Sequence, residues 1–183
     1  MKKILTVMLS LAGLAAAHPG HGASGFVAGL AHPLTGIDHL LALVATGVWA
    51  FRAGGLARRI VPPLFLFAMA AGFLLSWTGS VRPGPETWTI AGCIGLVAAA
   101  LLGGRIPLVL PSALVAALLH GMAHGGEAPS GSSGTDFLAG FLISAAGLQL
   151  TGSLLAFGCR YALLKASAPT GRSPVARVMP ESV

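Results

Sequence analysis

Long runs of apolar residues, each close to the length of a membrane-spanning helix, dominate the sequence. Such a helix needs about 20 mainly apolar residues to cross the hydrocarbon core. Five runs fit this description, at residues 33–51, 60–79, 88–102, 107–126 and 137–158. The second run opens with Pro62 and Pro63, and residues 26–31 are expected to lie in the membrane interface ahead of the first run. The pattern predicts an all-α fold, a polytopic membrane helix bundle with about five transmembrane helices.

The N-terminal 17 residues have the layout of a secretory signal peptide. Lys2 and Lys3 form a positive region, residues 4–14 an apolar core and residues 15–17 a small-residue cleavage site. The apolar core is shorter than a spanning helix, although an uncleaved first transmembrane helix is the alternative. Cleavage after Ala17 would place the start of the mature chain outside the cytoplasmic membrane.

The basic residues are distributed unevenly between the two sides of this predicted bundle. With the N-terminus outside, eight Lys and Arg residues fall inside and only Arg82 falls outside. Such an excess of positive charge is typical of the cytoplasmic side. We therefore expect a multi-pass protein of the bacterial inner membrane, with its N-terminus outside and its C-terminus inside. The expected organisation is a signal peptide at residues 1–17, a transmembrane domain at 18–166 and a flexible cytoplasmic tail at 167–183.

The composition agrees with a chain whose main partner is the lipid bilayer. Hydrophobic residues make up 55% of the chain and charged residues 9%, whereas a soluble domain has about 25% charged residues. The net charge of +6 forms no basic patch with interleaved aromatic residues, so nucleic acid is not expected as a partner. Cys93 and Cys159 each lie in an apolar run, where we interpret them as packing residues.

The six histidines are confined to three short clusters, and the first cluster in a predicted span contains His32, Asp38 and His39. Pro33 is expected at the first helical position, and the seven-residue spacing then predicts that His32 and His39 share one helix face two turns apart. A charged side chain costs about 3 kcal/mol at the bilayer centre, so such residues usually mark an ion path. A structural Asp–His hydrogen bond between two helices is the alternative.

The second cluster closes the fourth predicted span and contains His120, His124 and Glu127. His120 and His124 are one turn apart on the same helix face, a spacing that lets two imidazoles reach one metal ion. Glu127 lies just beyond and could add an oxygen ligand or form a gate. Imidazole and carboxylate ligands suit Ni²⁺, Co²⁺ or Zn²⁺. The alternative is an exposed helix end that carries two histidines by chance.

The predicted topology places both clusters toward the outer side of the membrane. The third cluster, His18 and His21, would lie at the mature N-terminus, where it either collects metal or belongs to an inconsequential tail. Gln149 lies in the middle of the last predicted span. Its amide could line an ion path or bond a neighbouring helix, and the sequence leaves both roles open.

The two intramembrane clusters resemble the motifs of the HupE/UreJ family of bacterial nickel-permease and accessory proteins. The matching positions are His32-Pro33, Gly36 and Asp38-His39 in an HPxxGxDH motif, and His120-Gly121, Ala123-His124-Gly125 and Glu127 in an HGxAHGxE motif. The resemblance extends over nearly the whole mature chain. It implies metal uptake from the periplasm that supplies nickel to hydrogenase or urease assembly. It assigns a metal-path role to His32, Asp38, His39, His120, His124 and Glu127.

We therefore expect an inner-membrane permease for Ni²⁺ or Co²⁺ rather than an enzyme, with no tightly bound cofactor. Its expected partners are the divalent metal ion and the lipid bilayer, and the sequence leaves open whether it forms a homo-oligomer. Two alternatives remain: an intramembrane metal-dependent hydrolase, and a metal-binding accessory protein without flux of its own. No Glu follows His120 to complete the HExxH pattern of zinc proteases, and no P-loop motif indicates ATP-driven pumping.

Overall fold

The computed structural model describes residues 25–81, 86–103, 105–126 and 134–167, which form six α-helices and contain no strand. The helices are α1 Gly25–Thr35, α2 Ile37–Ala53, α3 Gly55–Trp77, α4 Glu86–Leu102, α5 Ile106–Gly126 and α6 Gly134–Ala166. The all-α fold class is therefore confirmed. The predicted signal peptide, Arg82 and residues 168–183 of the predicted tail lie outside the described residues.

Three of the described helices, α3, α5 and α6, are long and apolar enough to cross a membrane. Helices α1 and α2 add a fourth span if the bent pair crosses as one unit. Helix α4 has 17 residues, which is the lower end of the range of about 17–25 for a spanning helix. Each predicted span coincides with a helix or a helix pair, so the helical membrane bundle is confirmed. The number of five crossings stays a prediction.

The predicted first span is interrupted at Gly36, between α1 and α2. The backbone of Gly36 is extended, with φ −103° and ψ 127°. The axes of Gly25–Thr35 and His39–Ala53 are bent there by 77°. The expectation of one continuous helix beginning at Pro33 is therefore wrong, since Pro33 lies near the end of α1. Glycine is a poor residue inside a helix, and the helical path breaks at this one.

Helix α3 follows α2 directly, and this tight connection depends on glycine. Gly54 and Gly55 have φ of 69° and 47°, in the left-handed region that favours glycine. The second span was expected to open at Pro62 and Pro63, but both lie inside α3. The turn ahead of them is closed by the Arg58 backbone N–H, which donates to the Gly54 carbonyl at 3.3 Å. That turn extends the helix toward the N-terminus.

Helices α3 and α5 run in the same direction and approach each other closely. Gly121 lies against the backbone carbonyl of Met69, and Gly72 lies against that of Leu118. A Cβ atom at either glycine would collide with the facing backbone. Small residues at such contacts let membrane helices pack tightly, and tight packing matters there because lipid offers no hydrophobic driving force between helices.

Helices α2 and α6 form a second pair that also runs in one direction. Gly47 lies against the backbone of Gln149, and further along both helices Phe51 contacts Phe157 at 6.1 Å between ring centroids. The direction of this pair is opposite to that of α3 and α5, because Phe137 at the start of α6 stacks on Phe73 near the end of α3 at 5.9 Å.

This arrangement separates the histidines from the basic residues. The starts of α2 and α6 and the ends of α3 and α5 meet at one end of the bundle, which also holds His39 and His124. At the opposite end, Arg52 near the end of α2 donates to the Leu101 carbonyl near the end of α4 at 3.0 Å. The helix directions assign to that opposite end all the basic residues that the structure describes: Arg52, Arg58, Arg59, Arg105, Arg160 and Lys165.

Candidate metal centre

The interior of the bundle is apolar, which makes its few buried polar side chains conspicuous. Large fully buried residues include Leu43, Trp49, Met69, Phe73 and Phe141. A polar group in such an interior costs several kcal/mol unless it is paired. The buried polar residues of the described chain are His39, Thr46, Ser76, His120, His124 and Gln149. Three of the six are histidines at the same end of the bundle, so this end is the candidate site.

The break at Gly36 brings the two histidines of the first motif into direct contact. On one straight helix a seven-residue separation would place them about 10 Å apart along the axis. In the structure the ring centroids of His32 and His39 are 5.3 Å apart in an edge-to-face arrangement. The expected position two turns apart on one helix face is therefore wrong. His32 lies in the last turn of α1 and His39 in the first turn of α2, and both imidazoles belong to one site.

Helix α5 adds the two histidines of the second motif. His120 and His124 lie on one face with ring centroids 4.8 Å apart, as their spacing predicted. The Nε2 atoms of His124 and His39 are 2.6 Å apart, and His124 Nδ1 is 3.1 Å from His32 Nε2. The ring of His120 is 4.5 Å from that of His39. The four histidines that the structure describes thus form one cluster, which we call the histidine cluster.

The nitrogen atoms of this cluster have spacings suited to a metal ion. One ligand atom from each of His32, His39 and His124 can be chosen so that all three lie within 4.8 Å of one another. Imidazole–metal bonds of about 2 Å place coordinating nitrogens about 3 Å apart. Small side-chain movements would therefore allow three neutral imidazoles to share one cation, with His120 beside them as a fourth.

Two phenylalanines contact the histidine cluster, and a third packs behind them. Phe141 is buried and lies 5.3 Å from the ring of His124 and 6.3 Å from that of His120. Phe137 is 5.6 Å from His32 and stacks on Phe141 at 6.2 Å. Phe73 of α3 continues this stack. These rings fix the imidazoles sterically and lower the local dielectric constant, which strengthens electrostatic interactions with a cation.

With this geometry established, comparison with known proteins gives a consistent answer. A family model described as HupE / UreJ protein matches residues 6–173, which include both histidine motifs. The chain belongs to the HupE/UreJ family. It is 41% identical over 159 residues to Protein HupE of Rhizobium leguminosarum bv. viciae, an alignment that covers 84% of this chain and 83% of that protein. No solved structure matches the chain significantly. The family predicted from the two motifs is confirmed.

The HupE/UreJ motifs also contain acidic residues that the structure does not describe in full. Asp38 lies in the first turn of α2, but its side chain is outside the described part of the structure. Glu127, His18 and His21 are likewise outside the described residues. Metal-path roles for Asp38 and Glu127 therefore stay predictions, as does metal collection by His18 and His21.

A cysteine that lies outside both HupE/UreJ motifs also neighbours the histidine cluster. Cys93 of α4 is buried, and its Sγ is 3.9 Å from Nδ1 of His120. The sequence indicated a packing role, and the thiol does pack in the core, but it also contacts this imidazole. No local spacing signals this contact, since the two residues lie on different helices. The thiol lies where a weak hydrogen bond to His120 would limit rotation of that ring.

Proposed function

We propose that the chain is an inner-membrane permease that moves Ni²⁺ or Co²⁺ from the periplasm to the cytoplasm and so supplies hydrogenase or urease assembly. The observation that carries this proposal is the convergence of His32, His39 and His124 within an apolar helix bundle. Neutral imidazole is a preferred ligand of both metals. Membership of the HupE/UreJ family supports the same function.

The distribution of positive charge supports uptake from the end of the bundle that holds the histidine cluster. The described basic residues are at the end of the bundle opposite the histidine cluster. Positively charged residues near helix ends favour the cytoplasmic side. The histidine cluster then faces the periplasm, where it would receive the ion first.

The burial of the four imidazoles supports stepwise uptake from that side. His32 is partly exposed, whereas His39, His120 and His124 are buried. An ion arriving from the outer end would meet His32 first and then pass to His124, whose two ring nitrogens face His32 and His39. Transfer between adjacent imidazoles exchanges one ligand at a time, so the ion need not lose all its ligands at once.

The test is nickel uptake by the full chain in proteoliposomes that contain a Ni²⁺-sensitive dye, and in cells that lack other nickel uptake. We expect uptake by the unaltered protein and its loss in His39→Ala. The matched control is Thr35→Ala, because the exposed Thr35 hydroxyl donates within its own helix, to the His32 carbonyl at 2.8 Å. Uptake that is unchanged in His39→Ala would contradict the proposed path.

The same proteoliposomes distinguish a permease from the two alternatives, a metal-binding accessory protein and a metal-dependent hydrolase. Binding of Ni²⁺ without uptake would favour an accessory protein that holds metal. Stoichiometric zinc, together with amide or ester hydrolysis that a chelator abolishes, would favour a hydrolase, because zinc-bound water can act as a nucleophile.

A further inference from the structure

The amide of Gln149 is buried in the middle of α6 without a hydrogen bond to any described residue. The side chain is 2% exposed, and both Oε1 and Nε2 lack a hydrogen-bonding partner within that part of the chain. Of the two roles that the sequence left open, a bond to a neighbouring helix is therefore not what the described structure contains. A buried amide left unpaired costs about 1–3 kcal/mol, so this side chain requires a polar ligand or water.

Gln149 shares its level in the bundle with a second buried oxygen. The backbone of Gln149 lies against Gly47, and the adjacent Thr46 is 0% exposed. Thr46 donates its hydroxyl hydrogen to the Ala42 carbonyl at 2.8 Å, which leaves the oxygen lone pairs available as acceptors. We call Thr46 and Gln149 the inner polar pair.

The inner polar pair is displaced from the histidine cluster along the bundle axis. Thr46 follows His39 by seven residues in α2, a rise of about 10 Å on the same helix face. Gln149 follows Phe141, which contacts the histidine cluster, by eight residues in α6, a rise of about 12 Å. Because α2 and α6 run in the same direction, both displacements point toward the basic end. The pair thus lies on the inner side of the cluster in the orientation proposed above.

We propose that Thr46 and Gln149 form a second binding station for a partly hydrated divalent cation, with the Gln149 amide oxygen and the Thr46 hydroxyl oxygen as acceptors. Waters bound to the ion would donate to these oxygens, and Gln149 Nε2 would donate to another water. This inference rests on the proposed function and adds to it the site that receives the ion from the histidines.

A second station of this kind explains how a chain with several imidazoles can release its ion. Neutral oxygen donors hold Ni²⁺ and Co²⁺ more weakly than imidazoles do. Conduction requires sites that bind well enough to admit an ion and weakly enough to let it leave, and a series of sites meets this requirement. The inner polar pair supplies the weaker site on the exit side.

The first experiment measures equilibrium binding of Ni²⁺ to the full chain in lipid nanodiscs. We expect a tight phase from the histidine cluster and a weaker phase that is lost in Gln149→Leu, with the tight phase unchanged. Gln149→Glu keeps an oxygen donor of similar size and should restore the weaker phase. The matched control is Leu150→Ala at the neighbouring exposed position. A weaker phase that persists unchanged in Gln149→Leu, or that is absent from the unaltered protein, would overturn the inference.

The second experiment measures Ni²⁺ uptake per folded protein in proteoliposomes. We expect Gln149→Leu to lower the maximal rate at least about tenfold with an unchanged apparent KM, because the ion still binds at the histidines but leaves slowly. An unchanged maximal rate would contradict the second station alone. Absence of uptake by the unaltered protein would contradict the transport function and the inference with it.

Thermal unfolding separates this role from a structural one. Replacement of an unpaired amide by Leu should leave the Tm unchanged or raise it. If the amide were structural, its replacement would lower the Tm and would leave both the KM and the maximal rate per folded protein unchanged. Should Gln149→Leu fail to fold, Thr46→Val removes the other oxygen with little change in shape. It should reduce the same weaker phase and the same maximal rate, and normal values for both would overturn the inference.

Discussion

His39 and His124 face each other with their Nε2 atoms 2.6 Å apart, although 85 residues separate them in the chain. Two lone pairs would repel each other at this distance, so one imidazole donates its Nε2 hydrogen to the Nε2 lone pair of the other. Both residues are buried, and each is also close to a third histidine. This contact between α2 and α5 is the centre of the proposed site.

Removal of His124 should weaken nickel binding more than removal of His32. His124 is within hydrogen-bonding distance of both His32 and His39, whereas His32 is partly exposed at the edge of the cluster. Loss of an outer-shell partner typically costs 10–100-fold in metal affinity, so loss of the central imidazole in His124→Ala should cost at least about 100-fold. Isothermal titration with Ni²⁺ measures both variants, and a larger effect of His32→Ala would contradict this order.

Acidification should weaken nickel binding. An imidazole must be neutral to bind a metal, so protons compete with Ni²⁺ for the histidine cluster. The affinity is therefore expected to fall as the pH is lowered. The fall should be less steep in His32→Ala, because fewer protons are displaced. Titrations at several pH values provide the test, and an affinity that rises on acidification would exclude neutral imidazoles as ligands.

Gly121→Ala should destabilise the contact between α3 and α5. The new Cβ would collide with the Met69 carbonyl, and overpacking of this kind costs about 1–3 kcal/mol. His120 and His124 flank this position, so nickel affinity should fall together with the Tm. The matched control is Gly147→Ala in α6, where a Cβ meets no atom within 4 Å. The control should be neutral or stabilising by about 0.5–1 kcal/mol, since Ala favours a helix over Gly.

Phe141→Ala should open a cavity beside the histidine cluster. Phe141 is fully buried against His120 and His124, and deletion of a buried Phe ring costs about 3–5 kcal/mol. We expect a lower unfolding temperature and weaker nickel binding, because the imidazoles lose the ring that holds them in place. Phe67→Ala is the control, since Phe67 is 74% exposed. Equal effects of the two substitutions on nickel affinity would show that Phe141 does not position the cluster.

Much of this site could be predicted from residues that are close together in the sequence. The one-turn spacing of His120 and His124 predicted their shared face, because a regular helix fixes that geometry. The same reasoning failed for His32 and His39, since it assumed a helix that continues through Gly36. Contacts between helices, such as Cys93 with His120, have no local signature and could not be predicted.

The sequence by itself determined the helical membrane bundle, the family and the identity of the histidines. The length of an apolar run decides whether a helix can cross the lipid, and the motif residues are read directly along the chain. Only the tertiary structure decided that the 77° bend folds His32 onto His39, and that Gly72 and Gly121 bring α3 and α5 together. It also decided that Gln149 is buried without a bonding partner among the described residues. The physical reason is that helix bends and backbone contacts depend on how helices that are far apart in the sequence pack together. The spacing of residues along one helix carries no information about that packing.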